Sequence, residues 1–137
     1  MENQNSLRDD LTQKPAIYIA APYPWKAQAR QIEKRIKEKY PTCFDFASDW
    51  YHCEDELEID TAIKDFYQVA DCTIFLLLAD VWRISTGGSE VEFGLALSRG
   101  DKRIMVIGKK YNLFQLLPHV ENYSTTEEAI EALSRSI

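Results

Sequence analysis

The stretch richest in chemically useful side chains is Ser85-Thr86-Gly87-Gly88-Ser89-Glu90-Val91-Glu92-Phe93-Gly94. Glycines let a backbone come close to a ligand, and the free N–H groups of a helix start favour an anion. Hydroxyls at Ser85, Thr86 and Ser89 would add donors for such an anion. Glu92 has two readings on spacing alone. In the first, Ser89 is a helix N-cap and Glu92, three residues on, closes a capping box. In the second, Glu92 is a carboxylate in the first helical turn, held ionised by the helix dipole as a nucleophile requires. With Val91 and Leu95 as the buried face, Glu92 would point toward the surrounding loops. The stretch is neither G-x-G-x-x-G nor a Gly-Lys-Ser/Thr loop, so it supports neither a dinucleotide fingerprint nor a Walker-type phosphate loop.

A carboxylate nucleophile in glycosidic chemistry works with a second carboxyl that moves a proton. Asp60 and Asp65, on a helical stretch upstream, are the candidates, although such residues are more often solvated charges. Asp71 reads as a cap or loop residue. Tyr18 falls within an apolar run and reads as core. Tyr23 follows in a loop beside Ala21 and could touch a sugar or base. Trp50, Tyr51 and His52 come after a second strand, where aromatics either stack on a base or cover the sheet edge. The chain has two histidines, His52 and His119, far apart in sequence and joined by no Cys or Asp cluster. That pattern suggests neither a metal site nor a Ser/His/Asp triad, and no cofactor is expected.

Such residues need a scaffold, and the chain spells one out. Ala16 to Ala21 is a short apolar run, read as a buried strand and broken by Pro22-Tyr23-Pro24. Trp25, Ala29, Ile32 and Ile36 recur at helical spacing, and Pro41 ends that helix. Thr42 to Ala47 alternates weakly and reads as a strand. Glu56 to Ala70 reads as a helix with Ile59, Ala62, Phe66 and Val69 on one face. Cys72 to Ala79 is apolar on both faces, as in the centre of a parallel sheet. Ser89 to Ser98 is a helix closed by Gly100. Arg103 to Ile107 is a strand, Asn112 to Leu117 a short helical turn, and His119 to Tyr123 a short fifth strand. Thr125-Thr126-Glu127-Glu128 caps a last helix. Alternating strands and helices predict an α/β three-layer sandwich around a five-stranded parallel sheet. The expected strand order is 2-1-3-4-5, Rossmann- or flavodoxin-like, with ligands at the strands' carboxyl ends.

Bulk properties narrow the classes further. One domain fits 137 residues, with 1–14 as a polar tail and 15–137 as the folded unit. The excess of 22 acidic over 16 basic side chains, a net −6, argues against nucleic acid as a partner, because phosphate contacts need clustered cations. Three cysteines without C-x-x-C spacing point to reduced thiols in a cytoplasmic protein. The longest apolar run is too short to span a bilayer, so no membrane partner is expected.

The chain resembles the nucleoside 2-deoxyribosyltransferase-like family over nearly its whole length after residue 15. The residues that carry the likeness are Ile17-Tyr18-Ile19-Ala20-Ala21-Pro22, Ser48-Asp49-Trp50, and Ala70-Asp71 before an apolar strand. The strongest piece is Gly87-Gly88-Ser89-Glu90-Val91-Glu92-Phe93-Gly94, continuing through Ala96-Leu97 to Gly100. Phe114 to Val120 is similar to the tail of a small-sized branch that includes deoxynucleoside monophosphate N-glycosidases. The resemblance implies Glu92 as nucleophile in cleavage or exchange of an N-glycosidic bond. The substrate would be a small molecule, a nucleoside or its 5′-monophosphate, held by Ala21, Tyr23, Trp50, Ser85, Thr86, Gly87, Gly88 and Ser89. It also implies a homo-oligomer, with Phe114, Leu116, Leu117, Trp25 and Trp82 as candidate contacts. Where the family carries a helical Asp, this chain has Ile63, with Asp65 nearest and Asp60 one turn earlier. A non-catalytic nucleotide-sensing module on the same fold is the alternative.

Overall fold

In Ile74–Leu78 all five side chains are buried, a pattern only a central strand can satisfy. A computed structural model places that strand in the middle of a five-stranded sheet, and it describes residues 13–53, 59–79, 88–109 and 113–137. The strands are β1 (Ala16–Ala20), β2 (Asp45–Phe46), β3 (Ile74–Leu78), β4 (Arg103–Ile107) and β5 (Val120–Tyr123). They run parallel in the order β2-β1-β3-β4-β5, the order expected from sequence. The α-helices among the described residues are α1 (Lys26–Lys39), α2 (Ile59–Asp71), α3 (Gly88–Arg99) and, after β5, α4 (Thr126–Ala132). Helices α1 and α4 contact each other on one face, and α2 and α3 contact each other on the opposite face. This is the α/β three-layer arrangement.

Alternation in the strands assigns side chains to the two faces. Tyr18 of β1 stacks on its register partner Phe75 of β3, with centroids 5.8 Å apart and planes 4° apart. Phe75 in turn lies 6.4 Å from Phe93 of α3. Burying each such ring contributes roughly 1.5–3 kcal/mol. Ile17 and Ile19 point to the other face, where α1 buries Ala29, Ile32 and Ile36.

Helix ends follow the residue chemistry. Gly100 takes φ +73°, the left-handed cap after α3. Thr125 Oγ1 accepts from the Glu128 amide at 3.2 Å, as the capping box predicts. Arg103 fastens β4 to β5 with two 2.8 Å bonds to Glu121, and its carboxyl is held down at about 2, chiefly by that guanidinium.

Three local expectations change. Thr42–Ala47 yields a two-residue β2, because the next groups on β1 are taken by side chains. In α2 only Val69 of the expected inner face is buried, while Ile59 and Phe66 are exposed. In α3 the inner face is Ser89, Phe93 and Ala96, and Val91 is 73% exposed. The packing surface of α3 is set by Phe93 reaching Phe75; Leu95 packs partly against the core as expected, and Val91 turns outward. The 1–14 tail lies outside the described residues except for Gln13 and Lys14, as do Glu56 to Glu58 and Asn112.

Candidate active site

The carboxyl end of β1 and the first turns of α3 meet at one hydrogen bond. Tyr18 O–H donates to Glu92 Oε2 at 2.5 Å. The two residues are 74 apart in sequence, and the sheet brings them together. Tyr18 is fully buried, so its hydroxyl needs a buried acceptor. Burial and the adjacent carboxylate push its ionisation far above the usual range, so it stays a donor. Phe93 faces Phe75, and Glu92 beside it sits at the margin of that buried face, turned in toward Tyr18.

Burial pushes the Glu92 carboxyl up to about 7. The Tyr18 bond pulls it down, and the charge of Asp65 pushes it further up. A helix start was expected to keep Glu92 ionised, but desolvation outweighs the dipole here. Near neutral pH the group therefore exists in both forms, suitable for attack as carboxylate and for proton transfer as acid. The capping-box reading does not hold. Helix α3 already runs from Gly88, and Ser89, 5% exposed, donates to Glu90 Oε2 at 3.3 Å.

Asp65 lies on the middle turn of α2, half-buried, close enough for its charge to act on both Glu92 and Tyr18. Asp60 stands in the first turn of α2 and is exposed. Ile63, where the family's Asp is expected, is 48% exposed. The structure thus joins Glu92, Tyr18 and Asp65.

Around this pair the loops after β1 and β2 form a rim. Ala21 is buried, and Tyr23 is 46% exposed with the Lys26 ammonium 4.4 Å from its ring centroid. Trp50 lies 6.5 Å from Tyr23, is itself buried, and donates its indole N–H to Ile19 O at 2.7 Å. It supports Tyr23 from below and offers little open face. Asp49 accepts from Gln68 Nε2 at 3.0 Å and pairs with Lys64 at 3.3 Å, tying the β2 loop to α2. Gly88 is exposed, and a Cβ there would meet no atom of the described residues within 4 Å. Ser85, Thr86, Gly87 and Trp82 lie outside the described residues. Among the described residues no group of three His, Cys, Asp or Glu side chains could hold a metal ion.

Sequence reasoning missed Tyr18. A tyrosine in an apolar strand reads as core, and it is core by its ring; only the hydroxyl at the far end reaches the site. The signal available was a polar atom on a strand otherwise apolar from Ala16 to Ala21.

The chain is similar in structure to a CMP N-glycosidase of Clostridium botulinum, BcmB. The TM-score is 0.59 at 18% identity, over 88% of this chain and 98% of that one. At that identity the likeness establishes a shared α/β fold along nearly the whole of both chains. No protein-family model matches the chain, and no curated protein matches it in sequence. Among the described residues no helix is long and apolar enough to cross a membrane.

Proposed function

We propose that this protein cleaves the N-glycosidic bond of a nucleoside or nucleoside 5′-monophosphate, with Glu92 as nucleophile. The observation that carries the reading is the half-buried Glu92 carboxylate, aimed by the Tyr18 hydroxyl and flanked by a second carboxyl, Asp65. Burial and the charge of Asp65 raise the Glu92 carboxyl, so a proton is held at the site near neutral pH. Glu92 attacks the anomeric carbon through an oxocarbenium-like transition state, and the C–N bond breaks with its electrons going to the base. Asp65 protonates the departing base. Water then releases the sugar and regenerates Glu92, or a second base takes the sugar and the reaction is a transfer. The fold shared with a CMP N-glycosidase supports the monophosphate as substrate class. The helix start at Gly88 and Ser89, with Ser85 and Thr86 before it, is the phosphate end of the site in this reading. Tyr23, exposed and backed by the buried Trp50, is the side chain of the β1 loop that would meet the sugar or base in this reading.

The active species is a homo-oligomer. Ile63, Phe66 and Tyr67 on α2 and Val91 on α3 are exposed on adjacent helices, and Phe114 and Leu116 form a second exposed apolar group. Trp25, by contrast, packs partly against the core. The experiment is a free-base release assay on nucleosides and their 5′-monophosphates, CMP included, with Glu92→Gln as control. Base release lost in Glu92→Gln supports the assignment. Equal release by Glu92→Gln and wild type would reject it.

A further inference from the structure

A second carboxylate lies buried outside the site just described. Glu33 of α1 is 6% exposed, on the face of the sheet opposite Glu92. It accepts from Tyr51 O–H at 2.9 Å, His52 Nε2 at 2.8 Å and Lys37 Nζ at 3.3 Å. The Tyr51 oxygen lies 3.0 Å from Ser48 Oγ, and Ser48 Oγ accepts from the backbone N–H of Ile19 at 2.9 Å.

The direction of this relay follows from counting protons. A carboxylate only accepts, so the single proton of Tyr51 points to Glu33. The Ser48 proton must then point to the Tyr51 oxygen, leaving a Ser48 lone pair for Ile19 N–H. Every donor in the chain runs toward Glu33, and the charge at its end polarises each bond before it. The carbonyl of the same Ile19 is taken by the Trp50 indole. Strand β2 pairs only with Ala16 and Ile17, so a longer β2 would have bound the two Ile19 groups that Ser48 and Trp50 now hold. The residue before Ile19 is Tyr18, whose side chain crosses to the other face and holds Glu92.

We propose that Glu33 is a positioning residue that fixes the carboxyl end of β1, and with it the Tyr18 hydroxyl, through the relay Tyr51–Ser48–Ile19 N–H. The role rests on the reading in which Glu92 does the chemistry. It predicts that loosening the relay on one face changes the titration of a carboxylate on the other.

Tyr51→Phe removes one oxygen and cuts the relay between Glu33 and Ser48. Ser48→Ala cuts it at the strand, and Ser48→Thr restores the hydroxyl. The readout is the Glu92 carboxyl titration followed by carbon NMR in the unliganded protein, beside kcat and KM for base release from CMP. Tyr51→Phe and Ser48→Ala should raise the Glu92 midpoint by about half a unit, about threefold in proton affinity, because the Tyr18 bond that lowers it slackens. Their kcat should fall roughly tenfold with KM within about threefold, and Ser48→Thr should restore both. An unmoved Glu92 midpoint in both variants would overturn the positioning role, even if the variants melt earlier. A shifted midpoint in a protein that releases no base from any substrate would uphold the relay and reject the glycosidase reading.

Discussion

Glu33 and Glu92 are both carboxylates withdrawn from water on helices that flank β1, yet their environments push them in opposite directions. Burial alone would raise Glu33, but bonds from His52, Tyr51 and Lys37 outweigh it and hold the group below its ordinary range. Glu92 is raised to about 7 by burial, and among the described residues Tyr18 is the donor that opposes the rise. The lesson is that donor count separates a structural carboxylate from a reactive one. Several donors stabilise the charge of a carboxylate and blunt it as a nucleophile, whereas burial raises its energy and a rigid hydroxyl aims it.

The comparison breaks most readily through activity. Glu92→Gln should lower base release by about 1,000-fold or more, the scale of losing a covalent nucleophile, while Glu33→Gln, which acts only through the relay, should lower it about tenfold. Steady-state assays on CMP and related monophosphates check this, and similar losses in both variants would erase the distinction. Next in size, Asp65→Asn should cost about 100-fold and Asp60→Asn almost nothing, since only Asp65 acts on Glu92. Equal rates in the two variants would remove the α2 carboxyl from the mechanism.

The pH behaviour sharpens the contrast. If Glu92 must be ionised to attack, kcat/KM rises with pH and levels off above about 7, and Tyr18→Phe moves that limb upward by removing the donor that lowers it. A limb that ignores Tyr18→Phe would assign the titration to another group. The smallest effect is on stability, and its sign differs between the two residues. Glu92 is raised from 4.5 to about 7, so the folded state binds its proton more tightly. Its favourable contribution is complete below 4.5 and lost as pH rises through 7. Glu33 is lowered, so its contribution is present above 4.5 and lost as pH falls. Melting at pH 8 should therefore show Glu92→Gln equal to or a few degrees above wild type and Glu33→Gln below it.

Much of the architecture was legible because each element carried its own periodicity. The apolar run around Phe75 reads as a central strand, and the alternation of elements points to a parallel sheet, while the strand order came from the common doubly wound patterns. Glu92 was legible as a candidate because glycines and a helix start surround it. The rest depended on contacts between distant segments. Tyr18 and Glu92 are joined only by the register of β1 on β3 and the rotation of α3, and that rotation is set by Phe93 on Phe75. Periodicity gave α2 and α3 their helices but not which stripe faces in, because both carry apolar residues on more than one side. The role of Trp50 turned on a single indole N–H finding the Ile19 carbonyl.

The two-residue β2 has a consequence for how copies of this protein can meet. An edge strand with free N–H and C=O groups is a template on which another chain can add a strand. Here the edge of β1 beyond Ile17 is already closed by Ser48 and Trp50, and β2 itself offers only Asp45 and Phe46. Sheets of neighbouring molecules therefore find no ladder to extend on this side. Any pairing of copies would then fall to the β5 edge or to the helical faces, where side-chain shape rather than backbone pairing would select the partner.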